Sequence, residues 1–292
     1  MVTALVFALL TPWVWGFSNI LDKYVIVHKV KNPLSFAVVA AVVNIVIGLV
    51  LAVFLDWSGV SFMDYLYPVI AGFLLGLQFY FYFLILQKED VSHILGLVYV
   101  YPLLLAILSY IFLKEVIKPL GYVGAGVLLV GIFMLSLRIR KIKLNIGVWM
   151  IVSMVLLITG YEFFVKVATI NIPTLNGIAI STVALGLTVL PALVSSKTRK
   201  GLFREMKNGL WAVLNECFTF MALFSVYFAM NGLPATVVAS IGAIQPLTVL
   251  LIERGADNLF GKITKDHLLL PKLVPITLIV LGVILVYVSQ LV

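Results

Sequence analysis

Ten stretches of about 20 mainly apolar residues, joined by short polar segments, leave little of this chain for anything except membrane spans. They cover residues 2–27, 34–55, 65–86, 91–113, 119–137, 146–167, 174–194, 209–230, 234–252 and 272–291. Each is long enough, at about 1.5 Å per residue, to cross a hydrocarbon layer about 30 Å thick. Apolar residues make up 63% of the chain and charged ones 11%, nearly the reverse of what keeps a soluble domain of this size in water. Lipid offers the backbone no hydrogen bonds, so such stretches satisfy their own as helices. The expected fold class is therefore an all-α membrane protein with ten transmembrane helices. The first stretch has no basic residue before it and no small-residue cleavage site before Asp22, so it reads as a permanent helix and not a secretion signal.

The chain also repeats itself. At an offset of 144, Val91, Ser92 and Pro102 fall on Ala235, Thr236 and Pro246; at 143, Asn19 and Lys23 fall on Glu162 and Lys166. The loop after the first span is basic while its counterpart after Lys166 is bare. The bare second loop corresponds to the strongly basic segment 195–207. Duplicated hydropathy with reversed charge is the mark of an inverted repeat, with units 1–143 and 144–292 of five helices each. Such repeats place the working site at their interface, near the bilayer midplane.

Charge sets the expected orientation. Sixteen Lys and Arg lie in the odd-numbered connections, among them Lys29, Lys31, Lys88, Arg138, Arg199 and Lys265, against only Lys114 and Lys118 in the even-numbered ones. The positive-inside rule then puts the odd loops in the cytoplasm and both termini outside. The net charge of +8 is thus explained by topology, and no nucleic-acid-reading motif accompanies it. A single cysteine, Cys217, excludes an internal disulfide or a thiolate metal cluster. No GxxxxGK[ST], HExxH or GxSxG pattern is present, and His28, His93 and His267 are scattered. The sequence therefore predicts no ATP engine, no hydrolytic or metal-dependent enzyme and no cofactor.

Ionisable and polar groups inside spans are costly, so each needs a reason. Glu216, beside Asn215 and one turn before Thr219, lies roughly 10 Å into the eighth span at helical rise and is the candidate proton-coupled acid. A packing role for a hydrogen-bonded glutamate is the competing reading. Glu162 and Lys166 share a helix face at i,i+4 spacing and can neutralise each other; Asn19 and Lys23 repeat the spacing. Both lysines can instead snorkel from helix ends. Tyr82 and Tyr99, from the aromatic-rich third and fourth spans, offer a hydroxyl on an apolar wall, although packing and interfacial belting also use such residues. Gln245 precedes Pro246, and Tyr101 precedes Pro102. A proline loosens a helix, which makes Pro102 and Pro246 candidate hinges. Gly72 and Gly76 have the spacing of a close helix contact, with a homodimer contact as its second use.

The run Pro102 to Glu115 (PLLLAILSYIFLKE), the following Gly121, Gly124, Gly126 and Gly131, and Trp15-Gly16-Phe17-Ser18-Asn19 with Lys23 resemble the signature of the EamA family of the drug/metabolite transporter superfamily. The resemblance covers essentially the whole chain. In the second half it is degenerate: Glu253 follows Pro246 by seven residues where Glu115 follows Pro102 by thirteen. The family implies ten helices in two inverted five-helix repeats and secondary transport, often efflux, of amino acids or other small metabolites. Its commoner members look as if their termini are cytoplasmic, so the loop charges here predict the opposite insertion.

Taken together, these features predict a multi-pass plasma-membrane transporter that exports a small organic metabolite, an amino acid or related compound, by alternating access. Asn19, Tyr82, Tyr99, Glu162, Asn215, Glu216 and Gln245 are the expected cavity residues, and the partners are the substrate, the bilayer and a coupling proton. A lipid or lipid-linked sugar translocator, or a non-transporting receptor, is the alternative.

Overall fold

A computed structural model describes residues 2–86, 98–116, 118–137, 146–260 and 270–291. Ser92, His93, Lys88, the basic residues of 138–143 and those of 262–267 lie outside the described residues. Twelve α-helices are present among the described residues, and no strand. They are α1 (Val2–His28), α2 (Pro33–Val53), α3 (Leu66–Leu86), α4 (Tyr101–Leu108), α5 (Pro119–Leu137), α6 (Ile146–Asn171), α7 (Thr174–Val189), α8 (Ser196–Glu205), α9 (Gly209–Gly232), α10 (Ala235–Gly242), α11 (Gln245–Phe260) and α12 (Leu270–Leu291).

Six helical segments are long and apolar enough to cross a membrane: Val2–His28, Pro33–Val53, Phe62–Leu86, Trp149–Asn171, Thr174–Val194 and Ser196–Gly232. Four shorter apolar ones, Tyr101–Leu113, Pro119–Met134, Ala235–Val249 and Val274–Ser289, complete the bundle. The ends obey local chemistry. At α2, Asn32 caps the helix, its Oδ1 accepting from the Ser35 amide at 3.3 Å, and Pro33 occupies the first turn where no amide is needed. Within α4 the last turn widens to a π-turn over Ser109–Leu113 and stops at Lys114 in the left-handed conformation, φ 57°.

Helix pairing follows a regular scheme. The most extensive contacts are α5 with α12, α1 with α9, α2 with α7, α3 with α7 and α3 with α6; α1 also packs on α11, α2 on α9 and α4 on α6. Exchanging α1, α2, α3, α4 and α5 for α6, α7, α9, α10–α11 and α12 turns each of these pairs into another pair of the same set, or into itself.

Glycines allow the closest approaches. A Cβ at Gly124 would stand 2.7 Å from the Val286 amide nitrogen, and one at Gly131 2.8 Å from that of Ile279, so α5 and α12 meet backbone to backbone. Gly72 and Gly76 are consumed in the same way against α7, where a Cβ at Gly76 would lie 2.7 Å from Thr188 Cβ. The small-residue pair read from the sequence thus packs α3 within the chain.

One element differs from expectation. The basic segment 195–207 is not a bare loop, since residues 196–205 form α8. It is held on the α1–α2 turn: buried Glu205 accepts from the Lys31 and Asn32 amides, each at 3.2 Å, and the Ser35 hydroxyl donates to the Thr198 carbonyl at 2.8 Å. At the opposite end of α2, Asn176 of α7 donates to the Asp56 carbonyl at 2.8 Å. The α1–α2 and α7–α9 connections therefore share one side of the bundle, and the α2–α3 and α6–α7 connections share the other.

Candidate substrate cavity

Two helix breaks make room inside the bundle. The span expected at 234–252 is interrupted: α10 ends at Gly242, and α11 starts at Gln245. Pro246 thus sits in the first turn of α11, where its missing amide breaks no helical bond. Pro102 has the same place in α4. Both candidate hinge prolines thus stand at helix starts, and the breaks lie just before them.

The breaks face one another. The Tyr99 hydroxyl, just before α4, hydrogen-bonds to Gln245 Oε1, the first residue of α11. Around this bond lies a cavity of about 50 Å³. Helix α1 supplies Thr11, Trp15 and Asn19; α3 supplies Leu75, Gln78, Phe79 and Tyr82; α6 supplies Ile158, Tyr161 and Glu162. Val98, Tyr99 and Tyr101 beside the first break, and Val238, Gly242 and Gln245 beside the second, complete the lining. Each half of the chain thus contributes wall. Trp15 and Phe79 meet edge to face with centroids 6.0 Å apart, and Tyr99 lies 5.5 Å from Tyr101.

Glu162 is the one carboxyl in this wall among the described residues, 6% exposed. Its Oε1 accepts from the Tyr101 hydroxyl at 2.8 Å, and its Oε2 has no hydrogen-bond partner. Gln78 Oε1 and the Tyr161 hydroxyl, both buried, also have none. Unmet buried polar atoms are costly, and they point to a partner that arrives from outside the chain.

Five of the seven expected cavity residues, Asn19, Tyr82, Tyr99, Glu162 and Gln245, line this space. Asn215 and Glu216 do not. They belong to a second buried polar cluster between α1, α2 and α9. Asn215 Nδ2 donates to Asp22 Oδ1 at 2.9 Å and reaches Glu216 Oε1 at 3.5 Å; Asn44 Nδ2 donates to Glu216 Oε2 at 2.7 Å. Ser18 completes it by donating to Asn215 Oδ1 at 3.3 Å, with Thr219 Oγ1 at 3.2 Å. The cluster is separate because α9 packs on the face of α1 that carries Ser18 and Asp22, whereas Trp15 and Asn19 face the cavity. Sequence reasoning passed over Asp22, Tyr161 and the role of Tyr101. Asp22 was findable by the rule that selected Glu216, an acid inside an apolar span.

The lysines act together with helix ends. Buried Lys23 of α1 donates to the carbonyl of Leu86, the last residue of α3, at 2.9 Å. Its repeat mate Lys166 of α6 donates to the carbonyls of Met230 and Leu233 at the end of α9, at 2.8 and 2.9 Å. An ammonium there meets the negative end of the helix dipole. Lys166 lies 3.9 Å from Glu115, which also accepts from the Ala235 amide at 3.1 Å. The expected Glu162–Lys166 neutralisation gives way to these contacts, because Glu162 is turned towards Tyr101. Snorkelling gives way likewise, since Lys23 is only 6% exposed.

An all-helical bundle with membrane-length apolar helices and an internal cavity walled by broken helices is of the transporter class. Residues 2–137 match the EamA-like transporter family. That match covers somewhat under half of the chain, and the family it is similar to lies within the drug/metabolite transporter superfamily; with its membrane-length apolar helices the chain is a multi-pass membrane protein. A search among curated proteins found no match. A solved crystal structure aligns with 98% of this chain and 97% of its own at a TM-score of 0.65 and 16% identity, a likeness of fold.

Proposed function

We propose that this protein is a secondary active transporter that moves a small organic metabolite, an amino acid or related compound, outward across the plasma membrane by alternating access. Its ten spans form two inverted five-helix repeats, 1–143 and 144–292. The exchange symmetry of the helix pairs and the matched roles of Lys23 and Lys166 support the repeat. The observation that carries the function is the cavity. It lies within the bundle, it draws wall from both halves, and it meets the two helix breaks where rocking of one repeat on the other would open it further. Asn19, Tyr82, Tyr99, Glu162 and Gln245 contact the substrate. Pro102 and Pro246 mark the flexing points.

The Asp22–Asn215–Glu216 cluster serves as the coupling site. Two carboxyls bridged by one amide in a low-dielectric interior suit a shared proton that comes and goes with the transport cycle. Purified protein in liposomes tests the reading: counterflow of labelled small metabolites above that of protein-free liposomes is expected. Scrambling of a fluorescent lipid without solute counterflow would move the assignment to a lipid translocator, and binding without flux would move it to a receptor.

A further inference from the structure

We infer that the cavity is built for a small organic cation with N–H donors, a protonated amine, and that Glu162 is its counter-ion. The inference rests on the cavity being the transport site and, among small organic metabolites, favours an amine without a carboxylate over an amino acid.

The polar atoms left unmet in the wall include Glu162 Oε2, an acceptor once the carboxyl is ionised, and the amide oxygen Gln78 Oε1, both buried. Two of the wall's donors are already engaged: the Tyr101 hydroxyl on Glu162 Oε1, the Tyr99 hydroxyl on Gln245. Among the described residues, no Lys, Arg or His lines the cavity. The nearest cation along α6, Lys166, is held by the carbonyls of Met230 and Leu233 and lies beside Glu115. A ligand carboxylate would therefore find a second carboxyl and no positive charge. An ammonium would find a carboxylate oxygen, an amide oxygen and the faces of Trp15, Phe79 and the tyrosines, which attract cations. A neutral or zwitterionic ligand leaves one of these features unused or opposed.

Size sets the scale of the ligand. One water needs about 10–15 Å³ of such volume, so about 50 Å³ admits about three to five non-hydrogen atoms without rearrangement. Propylammonium fits this limit and has neutral and anionic partners of the same skeleton.

The test is calorimetric binding of propylammonium, propanol, propionate and alanine to the full-length protein in detergent at pH 8.5. Propylammonium is expected to bind at least about 100-fold more tightly than propanol or propionate and clearly more tightly than alanine, since each 1.4 kcal/mol is tenfold. Glu162→Gln is expected to abolish the preference and Glu162→Asp to keep it. Gln78→Leu, which leaves the charge in place, is expected to weaken propylammonium by at least about tenfold. No binding of propylammonium, equal binding of propanol, propionate or alanine, or an unaltered preference in Glu162→Gln would overturn the inference. Flux separates it from the transport reading. Propylammonium binding with no counterflow in liposomes would sink transport while leaving the ligand class standing. Counterflow of alanine without any of propylamine would do the reverse.

Discussion

Single side chains in this bundle are decided by where their hydrogen bonds go. Glu216 has Asn44 on one oxygen and Asn215 on the other, so Glu216→Gln keeps the shape and removes the titrating group. If the cluster couples a proton, substrate counterflow persists in this variant but a pH gradient no longer drives uptake; equal gradient-driven uptake would refute the coupling role. Asp22→Asn is expected to behave in the same way, because the same Asn215 amide serves both acids. Lys166 is a structural cation. Lys166→Met strips the charged donor from two helix-terminal carbonyls, at a cost of about 2 kcal/mol. A lowered melting temperature in detergent measures it.

Helices meet where small residues let their backbones approach. Gly131→Leu drives a side chain into the Pro275–Ile279 stretch of α12, where even a Cβ would stand 2.8 Å from the Pro275 carbonyl oxygen. Overpacking of this kind costs about 1–3 kcal/mol. Gly126, whose Cβ would meet nothing within 4 Å, is the matched control, and Gly126→Leu is expected to melt near the parent temperature. The α2–α3 connection carries a separate, pH-dependent element. Ser58 donates to Asp56 from its amide at 2.9 Å and from its hydroxyl at 3.0 Å, and these bonds hold the Asp56 carboxyl below its ordinary value of 3.8. A carboxylate stabilised in the folded form contributes fully above 3.8 and loses its contribution as pH falls through the lower folded value. Amide exchange at Ser58 is expected to be slowed at neutral pH and to lose that extra protection only in strong acid, once the intrinsic pH dependence is removed.

At the scale of the whole molecule, orientation is the open physical question that charge answers. The α1–α2 turn and α8 lie together, and both are basic, so the side bearing Lys29, Lys31, Arg199 and Lys200 is expected in the cytoplasm. Single cysteines at Ser58 and at Ser195, in a Cys217→Ser background, check this in intact cells. A membrane-impermeant thiol reagent is expected to label position 58 and to spare 195 until the membrane is opened. The reverse pattern would place the termini inside. Much of this layout is legible without coordinates. Apolar length sets the membrane-length helices, and the offset of 143 pairs Asn19 with Glu162 and Lys23 with Lys166.

Hydropathy and charge are properties of segments, so the amino-acid sequence alone determined the all-helical membrane class and five of the residues that meet at the cavity. Side-chain partners depend on which helix faces which, and only the tertiary structure decided those. It moved Asn215 and Glu216 into a cluster with Asp22, because α9 packs on the other face of α1. It turned Glu162 from Lys166 to Tyr101 and gave both lysines helix ends to close. It also placed Pro102 and Pro246 at helix starts, since a residue without an amide is tolerated where the first turn leaves amides unpaired. Contacts between residues distant in the chain carry no local signal, and this site is made of them.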